Sequence, residues 1–165
     1  DYTVTGQYKL ETTQSLETGK HKDQGAAYGV SVVGNNINGS GVFAGATYAN
    51  QKGATAGAAD SNVYGVGAGW TNDRVYVAAS SLVGKNVSGV KSFYDNEVIA
   101  QYNFENGITP SLGYVDSNDG GSRAKFVETG LTYAFNKNVS ADIGYGIDVT
   151  GGDNNQVKTG LKYKF

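Results

Sequence analysis

Between Val127 and Phe135 the chain reads VETGLTYAF, and between Val157 and Phe165 it reads VKTGLKYKF. In both phrases Val, Thr, Leu, Tyr and Phe take every second position, with Lys, Glu, Gly, Thr or Ala between them. Side chains alternate across a strand with period two, so each phrase carries one apolar face and one polar or small face. The same alternation, bounded by Gly, Asn, Asp and Ser, predicts about ten strands. They run Asp1 to Glu11, Ala26 to Gly34, Gly41 to Ala49, Val63 to Thr71 and Arg74 to Leu82. The other five run Asn96 to Phe104, Ile108 to Asp116, Lys125 to Phe135, Val139 to Val149 and Gln156 to Phe165. No segment predicts a helix.

The links differ in kind. After the even strands they are brief (NNINGS, ND, ENG, NKN), and after the odd strands longer and looser (TTQSLETGKHKDQG, NQKGATAGAADSN, VGKNVSGVKSFYD, SNDGGSRA, with TGGDNN the shortest). Alternating short and long links imply an up-and-down barrel with two unlike ends, as transmembrane barrels have, and not a sandwich with Greek-key crossings. Even strands also finish on aromatics: Trp70, Tyr102 with Phe104, Tyr133 with Phe135, and Tyr163 with Phe165. Aromatic rings of this kind settle at the boundary between apolar and polar phases, and membrane barrels wear them as girdles. The girdle predicted here is Trp70, Tyr102, Phe104, Tyr133 and Phe135.

This girdle turns the apolar set outward (Tyr2, Val4, Tyr8 and Leu10 on the first strand, Val157, Leu161 and Tyr163 on the last). The opposite set then lines the interior, and the pore-lining candidates are Lys9, Glu97, Gln101, Glu128, Asp142, Asp148, Lys158 and Lys162. Both signs are present, which predicts only weak ion preference. Length allows one domain, residues 1–165.

Composition narrows the field further. With 25 Gly and 1 Pro beside 12 Tyr, turns and small strand residues are expected rather than disorder. A formal charge of −2 argues against nucleic acid as a partner. No stretch approaches the ~20 apolar residues of a spanning helix, whereas a membrane barrel hides its apolar residues in alternation. The absence of cysteine excludes a disulfide framework and thiolate chemistry. No charged-then-apolar leader begins the chain, so any secretion signal is expected to be gone already.

The run QYNFENGITPSLGYVDSN, then FVETGLTYAFNKNVSADIGYGID, then VKTGLKYKF resembles the last strands of the trimeric general porins of Gram-negative outer membranes. The likeness extends back through GVGAGWTNDRVYVAAS and GVFAGATYA to TVTGQYKLE. It implies an all-β, antiparallel up-and-down transmembrane β-barrel, either the last ten strands of a sixteen-stranded barrel or a shortened barrel that closes on itself. The family's first six strands, its inward-folded constriction loop and the facing arginine cluster have no counterpart here, so no constriction residue is carried over. The ending, with Gly160, Tyr163 and Phe165, is similar to the signal read by the outer-membrane assembly machinery. The resemblance also implies a homotrimer, contact with outer-membrane lipid and lipopolysaccharide, periplasmic termini, no cofactor, and passive diffusion of small hydrophilic solutes and ions. A small non-conducting barrel serving adhesion or structure through its outer loops is the alternative, and a soluble secreted β-protein a third.

Other signals carry less. His21, the only histidine, stands between two lysines in an expected loop and makes no catalytic set. GVGAGW (Gly65 to Trp70) has a phosphate-loop look but no helix behind it. DSNDGG and GGDNN offer oxygen ligands without the spacing of a calcium loop and read as turns. The NVS tripeptides at Asn86 and Asn138 match a glycosylation acceptor that an outer-membrane protein does not use.

Overall fold

The computed structural model describes residues 1–15, 21–53, 58–87 and 89–164, with the backbone alone for 12–15 and 21–24. The strands are β1 (Tyr2–Lys9), β2 (Thr12–Ser15), β3 (His21–Gln24), β4 (Ala27–Gly34), β5 (Val42–Gln51), β6 (Ser61–Thr71) and β7 (Val75–Val87). They continue as β8 (Val90–Tyr102), β9 (Ile108–Asn118), β10 (Arg123–Ala134), β11 (Val139–Asp148) and β12 (Gln156–Tyr163). Ten form one sheet in the order β1-β4-β5-β6-β7-β8-β9-β10-β11-β12, every neighbour antiparallel, and β2 and β3 pair as a separate hairpin. The all-β up-and-down reading therefore holds. Among the described residues the sheet is open, with β1 paired to β4 alone and β12 to β11 alone.

Two expected loops are corrected. VGKNVSGVKSFYD is not a loose link but the continuation of β7 and β8, which are 13 residues each and pair as far as Val87 opposite Val90. Likewise half of SNDGGSRA folds into β9 and β10, leaving Asp119–Ser122 as the turn. In each case the residues that require a positive φ lie at the middle of the link: Asn86 (54°) and Gly89 (84°) in one, Gly120 (89°) in the other. Pairing can therefore run up to them. A strand of 13 residues extends about 43 Å, more than the roughly 9–11 residues needed to cross hydrocarbon at a 45° tilt. These hairpins project beyond the apolar band. The link after the first strand is also not wholly loose, since it holds β2 and β3. His21 lies in β3, and its side chain falls outside the described residues. At the other end, NNINGS contains a single 3-10 turn, Ile37–Gly39.

Among the described residues no apolar side chain is buried. Leu161 is 77% exposed, Val4 72% and Val157 68%, all in regular strands. Soluble monomers rarely show contiguous apolar surface on this scale. The sheet has traded a protein core for an apolar exterior, which is stable only against lipid or further protein.

Candidate functional site

Register assigns each side chain to a face. On one face lie Tyr8 opposite Tyr28, Tyr48 opposite Tyr64, Val42 opposite Trp70, and Val98 opposite Tyr114. At the short-turn end this face carries the expected girdle. Tyr102 packs edge-on against Phe104 with centroids 4.7 Å apart, and Tyr133 against Phe135 at 4.9 Å. Trp70 donates its indole N–H to the Ser40 carbonyl at 2.9 Å, which satisfies the polar edge of the ring at the end of β6. Phe165 lies outside the described residues.

A second belt, at the long-hairpin end, escaped the sequence reading. Tyr28 and Tyr48 meet edge-on at 5.9 Å, and Tyr48 lies 4.9 Å from Tyr64. Tyr8 extends the row beyond Tyr28. Along β6, Tyr64 and Trp70 are six residues apart, about 20 Å of strand. The signal was present in AAYGV, ATYAN and NVYGV, where tyrosine recurs near the opposite ends of the strands. Above this belt the face turns polar. The Tyr48 hydroxyl donates to Asn62 Oδ1 (2.9 Å), as does Asn50 Nδ2 (3.0 Å).

The other face carries the pore-lining candidates. Glu97 stands opposite Ser80, Gln101 opposite Tyr76, Lys9 opposite Ala27, and Lys162 opposite Ser140. Lys158 Nζ bonds Glu128 Oε1 at 2.8 Å. The Asp142 carboxylate lies over Gly160, so that a Cβ there would come within 2.7 Å of Oδ1. Asp148 shares the face but is tied into the following turn, accepting from the Thr150 backbone N–H (2.8 Å) and from Asn154 Nδ2 (3.2 Å). Thus Glu128, Asp142, Lys158 and Lys162 gather on β10–β12, while Glu97 and Gln101 stand on β8 and Lys9 on the far edge strand. Asp95 also belongs to this face, opposite Leu82. It was missed because its segment read as loop.

At the loop end, Asp60 closes the link between β5 and β6, accepting from Lys52 Nζ and from the Gly53 N–H at 3.1 Å. The Lys52 ammonium, then the Gly53 amide, hold the Asp60 carboxyl below the usual carboxylate range. At the opposite end Arg74 pairs with Glu105 across neighbouring turns.

One face with two aromatic belts and an opposite face with mixed charge define a transmembrane β-sheet of the outer-membrane barrel class. The whole chain, residues 1–165, matches the family model described as Gram-negative porin, and the chain belongs to that family. It is 41% identical over 83 residues to outer membrane porin PhoE of Enterobacter cloacae, covering 42% of this chain and 24% of that protein. It is 33% identical over 108 residues to outer membrane protein Omp-EA of Erwinia amylovora, covering 53% of this chain and 28% of that one. A solved structure, Salmonella typhi OmpF in complex with daunomycin, superposes with a TM-score of 0.78 at 23% identity, over 98% of this chain and 56% of that chain. The chain thus spans only part of the length of the proteins it matches. Family and relatives place it in the Gram-negative outer membrane.

Proposed function

We propose that this sheet is the wall of a water-filled channel through which small hydrophilic solutes and ions diffuse passively. The observation that carries the proposal is the division of one sheet into a doubly belted apolar face and a face bearing Glu97, Glu128, Asp142, Lys158 and Lys162. Lipid cannot satisfy polar groups, so the charged face must meet water or protein, and charges on a barrel interior tune what passes. No bond is made or broken, and no cofactor takes part. The unpaired edges of β1 and β12 require neighbouring strands within the membrane. Further strands completing the barrel, in a homotrimer as the family suggests, support that requirement best. Outer-leaflet lipid and lipopolysaccharide are the surroundings proposed for the belted face. The last residues, with Gly160, Tyr163 and Phe165, are proposed as the handle for the assembly machinery, which would leave the termini periplasmic. Reconstitution of the native protein, purified from outer membranes, into planar bilayers tests the channel. Stepwise conductance is expected, and its absence overturns the reading.

A further inference from the structure

The charged face is not polar throughout. Between β5 and β8 it holds a depression of about 610 Å³ whose floor is a row of small residues, Gly45 opposite Gly67 and Gly67 opposite Ser80. That row leads directly to Glu97, opposite Ser80 on the next strand. The lower rim is aromatic: Phe43 and Tyr76 stack at 5.6 Å with their planes 18° apart. Phe43 lies across Gly69, where a Cβ would come within 2.3 Å of its ring. On the upper rim Leu82 folds over Gly65, leaving no room for a side chain there (2.9 Å), and Asp95 stands opposite Leu82. Floor residue Gly67, by contrast, has nothing nearer than the Ala79 carbonyl at 3.4 Å, so the floor is open.

The charge of this depression is one-sided. Among the described residues neither Asp95 nor Glu97 has an ion pair, whereas Glu128, two strands beyond β8, has Lys158. Asp95 Oδ1 is shut off from solvent and meets no hydrogen-bond donor. A buried acceptor without a partner is costly, and each such group calls for an explanation. An apolar floor about 10 Å from two carboxylates that have no cation among the described residues, counting two strand spacings, fits one kind of occupant.

The geometry points to a binding subsite for organic cations that carry a flat apolar body. The body lies on the glycine floor against Phe43 and Tyr76, and the cationic head faces the exposed carboxylate of Glu97, with Asp95 adding negative charge beside it. Aromatic faces attract cations as well as apolar surface, so both halves of the occupant find complementary groups. The inference rests on the reading of this face as a channel interior. Its role there is a pause: a solute of this class dwells on the wall before passing, whereas small inorganic ions do not.

The native protein from outer membranes is tested with benzyltrimethylammonium, against tetramethylammonium (charge without ring) and benzyl alcohol (ring without charge). Two readouts are used: titration calorimetry in detergent and interruptions of single-channel current in bilayers. Benzyltrimethylammonium is expected to bind and to interrupt the current at concentrations where neither control does. Glu97→Gln is expected to weaken binding roughly fivefold, the scale of one water-exposed charge interaction. Gly67→Leu, which fills the floor, is expected to abolish binding. Conductance without preferential binding, or binding unchanged in both variants, overturns the subsite and leaves the channel standing. Binding with the expected variant pattern but no conductance upholds the subsite and overturns the channel.

Discussion

Lys158 on β12 reaches across the whole of β11 to Glu128 on β10, Nζ to Oε1 2.8 Å. The bridge exists because the strand between presents no side chains there: Lys158 is paired with Gly144, and Glu128 with Gly146. Its members are 61% and 39% exposed, so it adds at most about 1 kcal/mol to stability. Its consequence is electrical. Removing Lys158 (Lys158→Gln) leaves the Glu128 carboxylate without its cation and is expected to shift permeability toward cations, and Glu128→Gln toward anions. Reversal potentials across a salt gradient check this, and unchanged values in both variants would contradict it.

Gly160 has two possible reasons to be glycine. A Cβ at this position meets the Asp142 carboxylate, the end of a movable side chain, rather than backbone. If packing is the reason, the loss of folded protein in Gly160→Ala is relieved by Asp142→Ala. The relief is expected, measured as the heat-resistant folded fraction on gels. A defect indifferent to residue 142 would overturn the packing reason and leave the assembly handle alone to explain the glycine.

Phe135 and Phe165 end two similar strand phrases, but only Phe165 belongs to the segment proposed as the assembly handle. Phe165→Ala is expected to lower the amount of assembled protein in the outer membrane more than Phe135→Ala. Quantification of both in membrane fractions decides it, and equal losses would remove the case for a terminal signal.

Gly39 and Gly41, both at positive φ in the β4–β5 turn, are expected to respond oppositely to substitution. Gly39 (71°) has open space where a Cβ would sit, and asparagine tolerates the left-handed region. Gly41 (77°) would place a Cβ 2.0 Å from the Thr71 carbonyl oxygen. Gly39→Asn should be nearly neutral, whereas Gly41→Ala should cost at least about 1–3 kcal/mol in urea unfolding from detergent. A neutral Gly41→Ala would show that the turn opens more easily than its contacts indicate.

The Lys52–Asp60 closure of the β5–β6 link depends on pH with a definite sign. The Asp60 carboxyl is held down by Lys52 and then Gly53, and the Lys52 ammonium is held up chiefly by Asp60. A lowered carboxyl contributes in full above its unfolded pKa and loses that contribution as pH falls through the folded value. A raised ammonium contributes in full below its unfolded pKa and loses that contribution as pH rises through the folded value. The closure is therefore complete between about pH 4 and pH 10. Protection of the Gly53 amide from hydrogen exchange, after correction for intrinsic rates, should fall below that window, and Asp60→Asn should flatten the profile. Protection that ignores both acid and Asp60→Asn would count against the bond.

The ten strands of the main sheet, their antiparallel order and the places of Trp70, Tyr102 and Tyr133 near the same end of their strands were legible in the sequence because period-two alternation is local. The second belt was equally local in its residues but not in its meaning. Tyr28, Tyr48 and Tyr64 become a row only when register sets three strands side by side. Asp95 and the β7–β8 hairpin were misread for a different reason. The stretch from Val83 to Asp95 is rich in Gly, Ser, Asn and Lys, the composition of a loop. Antiparallel pairing overrides that composition wherever a tight turn at positive φ lets both strands continue.

Alternation alone determined that this chain is a sheet with one apolar and one charged face, since a strand has no other way to distribute such a sequence. The placement of charges on the charged face was decided by the tertiary structure. Pairing across three strands, with glycines leaving the gap, put Lys158 on Glu128 and, among the described residues, left Asp95 and Glu97 without a cation. The physical reason is that the Lys158–Glu128 bridge and the wall depression depend on neighbours two strands away, and those neighbours lie 30 or more residues distant along the chain.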